Sequence, residues 1–238
     1  MELVILGHNG PFPEPGKACS GYLLRAADAL VQFDFGTGTL SRLTGLTAPE
    51  ELTALFLSHW HFDHTSDLLP LVYRLEAMKA VLPVWAPVDE QSPMRKIIAS
   101  LACFRLTDVC PGDTLTLPGL TVRVGEARHP VPGVMYRVEA EGRSMCYTGD
   151  TNTLPGLADF CRGTDLLLAD GLFTDALWTA EKPHLSARLA AELARDAGAG
   201  KLIITHLNPT IDPEALLREA REVRKDVLLA SAGMRVSV

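Results

Sequence analysis

LFLSHWHFDH, residues 55–64, places three histidines and an aspartate within six positions, in a chain that has only seven histidines. The apolar run 55–57 reads as the end of a buried strand. If residues 59–63 stay extended beyond it, side chains alternate, so that His59, His61 and Asp63 share one side and Trp60 and Phe62 take the other. His64 would then begin the next helix and enter from a different angle. Imidazoles and a carboxylate crowded into an interior are costly unless something binds them. A divalent metal is the natural partner, because neutral imidazole and carboxylate are both good zinc ligands.

Outward from this stretch, the same placement recurs. His129 follows the apolar run ending at residue 126, Asp150 follows SMCYTG, and His206 follows KLIIT. Each lies just past the C-terminal end of a candidate strand, where open α/β sheets place their binding sites. Pro130 biases His129 towards extended backbone. Candidate strands are 3–6, 21–25, 30–35, 55–58, 121–126, 135–139, 144–148, 166–169 and 202–205. Candidate helices are 39–46, 65–79, 93–101, 186–197 and 213–225. The helix over 186–197 puts Leu189, Ala190, Leu193, Ala194 and Ala197 on one face, the spacing for packing on a sheet. Glycines 198 and 200 end it. Early hairpin-like pairs followed by βα alternation predict two sheets with helices on their outer faces.

Composition excludes several classes. Hydrophobic residues make up 47% and charged residues 21% of the 238, as in an ordinary soluble protein. The net charge of −7 comes without any concentrated Lys/Arg stripe, which argues against stable nucleic-acid binding. REAREVRK (218–225) interleaves acids and bases and reads as the solvated face of a helix. The N-terminus lacks the basic start of a signal peptide, and no run approaches the ~18 apolar residues of a membrane span. Five cysteines without a C-x-x-C pair read as reduced core thiols, so a cytoplasmic location is expected.

The motif H-x-H-x-D-H as HWHFDH, then His129, Asp150 and His206 in that order, resembles the metallo-β-lactamase-fold hydrolases over essentially the whole chain. The resemblance implies a four-layer αββα sandwich, a single metallo-hydrolase domain over residues 1–238 and two divalent metals, zinc foremost, with manganese or iron as alternatives. His59, His61 and His129 would hold one metal and Asp63, His64 and His206 the other, with Asp150 bridging. Departures narrow the branch. Asp150 stands where true β-lactamases typically carry another residue, often Cys, and His61 stands where the flavin-linked di-iron branch has Glu. Only 32 residues follow His206, too few for the helical region of glyoxalase II-like thioesterases.

His184 lies in EKPHLSARLAAELARDAG, 22 residues before His206. This is similar to the segment in ribonuclease Z and related phosphodiesterases where a non-ligand His protonates the leaving group, often paired with a Glu. Here the matching residue is Asp170, one methylene shorter. The protruding arm of the tRNA-processing members is missing, since only 21 positions separate His129 from Asp150. The chain therefore most resembles the compact ribonuclease Z-like, cyclic-nucleotide phosphodiesterase-like branch.

The expected activity is hydrolysis of a small phosphodiester by a hydroxide held between the metals. His184, Asp63 and Asp170 are the residues expected to carry the catalytic step. A thioester or lactone hydrolase of the same fold is the alternative, and a non-catalytic metal-binding or regulatory protein is the alternative from another class. A homodimer is left open. The turn DFGTGT (34–39) reads as lining the metal site, with Asp34 supporting a ligand histidine; the alternative is a phosphate cradle at a helix N-terminus. His8 reads as a structural loop residue.

Overall fold

Apolar residues in runs such as LVIL, LLLA and LIIT leave neither strand face for solvent, so such strands need cover on both sides. The structure, a computed structural model describing residues 1–238, supplies that cover. Strands β1 (Glu2–Gly7), β2 (Gly21–Ala26), β3 (Ala29–Phe33), β4 (Ala54–Phe56), β5 (Leu82–Pro87) and β6 (Phe104–Val109) form one sheet in that order. Strands β7 (Thr114–Leu117), β8 (Leu120–Glu126), β9 (Val134–Ala140), β10 (Arg143–Tyr147), β11 (Leu166–Asp170), β12 (Lys201–Thr205) and β13 (Leu228–Leu229) form the other. The last strand, β14 (Arg235–Ser237), returns to pair antiparallel with β1. In each sheet an antiparallel part joins a parallel part: β3 to β6 run parallel in the first, β10 to β13 in the second.

Three buried clusters define four layers. Leu3, Ile5, Tyr22 and Phe33 of the first sheet meet Val122, Tyr136, Leu166 and Ile203 of the second between the sheets. The alternate residues of the same strands, such as Val4, Leu6 and Leu23, face α1 (Thr39–Leu43), α3 (Leu68–Met78) and α4 (Pro93–Ala99). Leu167, Ala169, Leu202 and Ile204 face α5 (Leu157–Phe160), α6 (Ala187–Asp196) and α7 (Pro213–Val223). This is the expected αββα sandwich, each buried Leu or Ile contributing about 1.5–3 kcal/mol. On α6 the buried face carries Ala190, Leu193 and Ala194 as the spacing predicts, with Leu189 only partly covered. Ser186 caps that helix by accepting from the Leu189 N–H.

Two departures from the sequence reading matter. The single helix expected over 65–79 is two, α2 (Phe62–Thr65) and α3. Pro70 has no N–H for the carbonyl one turn back, so it suits the first turn of a new helix better than the interior of a long one. Five strands went unread: β5, β6, β7, β13 and β14. Prolines 83 and 87 disguise β5, although it sits between β4 and β6. The edge strands β6 and β7 are partly exposed and carry polar residues, while β13 and β14 have two and three residues.

The site's position follows from this topology. The segments after β3, β4, β8, β10, β11 and β12 all converge at the same end of the two sheets, where Asp34, His59, His129, Asp150, Asp170 and His206 lie close together.

Candidate metal centre

The loop after β4 carries His59 and His61, and the loop after β8 carries His129. His61 Nδ1 lies 3.0 Å from His59 Nε2 and 3.2 Å from His129 Nε2. The outer nitrogens settle which atoms are free. The Ser58 hydroxyl donates to Asp34 Oδ2 at 2.8 Å, so it accepts the His59 Nδ1–H at 3.0 Å. His129 Nδ1–H donates to the Pro183 carbonyl at 3.2 Å. Both Nε2 atoms therefore present lone pairs towards His61. Burial lowers the pKa of all three imidazoles, which keeps them neutral and able to ligate.

Asp63 corrects the extended-loop reading. Helix α2 begins at Phe62, so alternation ends at His61 and the helical turn swings Asp63 away from His59 and His61. Its Oδ2 sits 3.1 Å from His206 Nε2 and 3.6 Å from His64 Nε2 instead. Asp150 lies between the two groups: its Oδ2 is 3.2 Å from His64 Nε2, 3.3 Å from His206 Nε2 and 3.6 Å from His59 Nε2. Ligand atoms of His59, His61, His129 and Asp150 lie within 4.8 Å of one another, as do those of Asp63, His64 and His206.

These donors fit divalent cations. His64 Nε2 and Asp150 Oδ1 are buried without a hydrogen-bond partner, a cost of about 1–3 kcal/mol each unless something coordinates them. Burial opposes charge on His64, yet the carboxylates of Asp150, Asp63 and Asp34 push its pKa well above the usual imidazole range. The cavity thus calls for positive charge where imidazole and carboxylate donors meet, and such a donor set suits zinc, manganese or iron.

Asp34, in the turn after β3, holds the assembly from behind. Its Oδ2 accepts from His64 Nδ1 at 2.7 Å and from the Tyr147 hydroxyl at 2.5 Å, and its Oδ1 accepts the Ser58 N–H at 2.7 Å. The expected support of a ligand histidine is thus to His64. Ser58 and Tyr147 were missed. Ser58 adjoins the histidine motif, but Tyr147 comes from the opposite sheet and leaves no local signal. His8 does structural work: its carbonyl accepts the Leu207 N–H at 2.7 Å, beside His206.

His184 precedes α6, and its Nδ1 lies 2.8 Å from Asp170 Oδ2. The shorter acid reaches because Asp170 ends β11 and is itself fixed by the backbone N–H groups of Thr151 and Leu172. Burial lowers the His184 pKa, but Asp170 and Asp150 outweigh it and raise it to about 9. The ring stacks near His206, centroids 4.9 Å apart.

One glycine is committed to this geometry. A Cβ on Gly10 would lie 2.0 Å from His206 Nε2. Gly10→Ala is expected to leave the fold intact, because an imidazole can swing aside, but to displace one ligand of the Asp63–His64–His206 group. Metal content measured by elemental analysis should fall by about one ion per chain. Undiminished content would mean that the loop gives way instead.

Known proteins share this fold. Residues 30–207 match the family model of the Beta-lactamase superfamily domain. The probable metallo-hydrolase YhfI of Bacillus subtilis is 28% identical, the match covering 98% of both chains, and its crystal structure superposes with a TM-score of 0.93. Ribonuclease Z of Methanopyrus kandleri is 30% identical over 276 positions, covering 100% of this chain and 98% of its own, so it carries segments absent here. The crystal structure of human tRNase Z, short form, shares the fold at 22% identity, with a TM-score of 0.81 and coverage of 100% and 99%. The chain belongs to the metallo-β-lactamase superfamily and is a metallo-hydrolase of that fold. Within the superfamily it falls in the ribonuclease Z-like branch. No helix is long and apolar enough to cross a membrane.

Proposed function

We propose that residues 1–238 form one domain with a dinuclear zinc centre that hydrolyses small phosphodiesters. The observation that carries this reading is the buried His184–Asp170 pair, 2.8 Å apart, set beside seven convergent ligands. His59, His61 and His129 would hold one ion and Asp63, His64 and His206 the other, with Asp150 shared. Divalent ions held there would lower the pKa of water and neutralise oxyanion charge.

The remaining chemistry belongs to the chain. Asp63 turns Oδ2 towards His206 and His64, leaving Oδ1 to accept a hydrogen bond from the attacking water. Asp170 holds Nδ1 of His184, so that a proton at Nε2 can pass to the departing alkoxide. The five free thiols fit a reducing cytoplasm. Metal analysis should find about two ions per chain, and a panel of diesters, thioesters and lactones at fixed metal content tests the reaction. A stoichiometry of one or less that added metal cannot raise would end the dinuclear model, and turnover confined to thioesters or lactones would end the phosphodiesterase.

Substrate size is testable separately. Between His129 and Asp150 the chain is occupied by β9, β10 and a tight turn at Glu141–Gly142, with no protruding arm. Precursor tRNA is therefore expected to be cleaved far less efficiently than small diesters, judged by kcat/KM. Efficient 3′ cleavage by this chain would remove the small-substrate reading.

A further inference from the structure

Beside the metal centre lies a cavity of about 400 Å³ whose walls are the immediate neighbours of its ligands. Trp60 and Phe62 flank His61, and Pro130–Pro132 follow His129; His61 itself lines the cavity. Phe62 is 61% exposed, unusual for a phenylalanine next to a polar site, and gives the cavity an open aromatic face. Trp60 donates its indole N–H to the Pro87 carbonyl at 2.8 Å, so it contributes only apolar wall.

The polar side of the cavity is acidic. Asp89 Oδ1 accepts the N–H groups of Gln91 at 3.0 Å and Ser92 at 3.2 Å. No chain group hydrogen-bonds its Oδ2, and Asp89, although buried, is one of the residues that line the cavity. No Lys or Arg lines the cavity, so a phosphate has no counter-charge there. A neutral planar group with hydrogen-bond donors on its edge does fit. The volume is at the small end of ligand cavities, about 300–1,000 Å³, suited to one nucleoside and not to a polynucleotide.

We infer that this cavity is a nucleobase slot. Phe62 would stack on the ring of a nucleotide diester and Asp89 would accept from its exocyclic amino group. The inference rests on the phosphodiesterase reading and narrows its substrate to nucleotides bearing adenine, cytosine or guanine. Each of these bases presents an amino donor, whereas uracil presents a carbonyl oxygen in the corresponding place.

The test compares metal-loaded enzyme on the p-nitrophenyl esters of AMP and UMP and on methyl p-nitrophenyl phosphate, which has no base. Wild type should favour the AMP ester over the UMP ester. Asp89→Asn keeps an acceptor for the two backbone N–H groups but replaces the free oxygen by an amide donor. The AMP-to-UMP ratio of kcat/KM should fall ~10- to 150-fold, the worth of a hydrogen bond to a charged group. Phe62→Ala should lower the ratio of AMP ester to methyl ester ~5- to 150-fold, the range for base–aromatic stacking. Ratios unmoved by both substitutions would overturn the slot. If wild type hydrolyses none of the three diesters, the phosphodiesterase reading fails, and calorimetric binding of AMP and UMP decides the slot alone. Tighter binding of AMP that Phe62→Ala abolishes supports it, and equal or Phe62-independent binding overturns it.

Discussion

Asp150→Ala is expected to reduce metal content from about two ions per chain to one or none and to cut diester turnover by at least ~10⁴-fold, about 5.4 kcal/mol at 1.36 kcal/mol per decade. Asp150 Oδ2 is the one carboxylate oxygen that faces histidines of both groups, at 3.2–3.6 Å. Burial opposes its charge, but His206, His64 and His59 hold its carboxyl well below the usual range, so it is an anion at neutral pH. Alanine removes that shared charge, and without bound cations the pKa of the attacking water returns from about 7 towards 15.7. The fold should survive, because the three apolar clusters do not depend on Asp150. Circular dichroism separates folding from ligation, and elemental analysis with initial rates reads the rest. Full metal content with undiminished turnover would show that Asp150 is not shared between two ions.

His184→Ala should leave metal bound while selectively impairing substrates that need a protonated leaving group. On a diester with an alkoxide leaving group the expected loss is ~10²–10⁴-fold, about 3–5 kcal/mol. A nitrophenolate departs without protonation and should lose far less. Asp170→Asn should give a smaller loss in the same direction, because it removes the anion that favours the imidazolium. The positive end of the α6 dipole disfavours the imidazolium and so offsets the effect of Asp170 only in part. The pH profile carries a sign. A raised His184 pKa keeps the acid form below about 9, and alkoxide turnover is lost as pH rises through that value. Asp150 supplies part of the shift, and coordination would draw its charge away, so the limb should fall somewhat lower. Asp170→Asn should move it lower still. Asp150, His184 and His206 also lie close enough to hold an ion. Equal losses on both leaving groups, or loss of metal in the alanine variant, would assign His184 to binding instead of proton transfer.

The site was more legible in this chain than its helix and strand boundaries. HWHFDH, His129, Asp150 and His206 each follow an apolar run, and that position relative to a strand end is a local property. Helix α2 was not legible: Phe62 has no preceding cap signal, since His61 makes no side-chain cap bond. β5 was hidden by prolines that a strand flanked on both sides nonetheless accommodates.

Sequence by itself determined the donor set, the two-sided burial of the strands and the order in which the ligands occur, because these follow from residue type and short-range period. The family resemblance already implied how the donors divide, but only the tertiary structure supplied the cause, α2 turning Asp63 out of the alternation with His59 and His61 and towards His64 and His206. It also decided that the shorter Asp170 reaches His184, and that Tyr147 of one sheet closes on Asp34 of the other at 2.5 Å. The cavity beside His61 belongs with these, since it brings Phe62 of α2 together with Asp89 and Pro130 of two separate loops. The physical reason is common to all four. They depend on where separate strands and loops end relative to one another, which is set by packing two sheets across a shared core and not by any run of neighbouring residues.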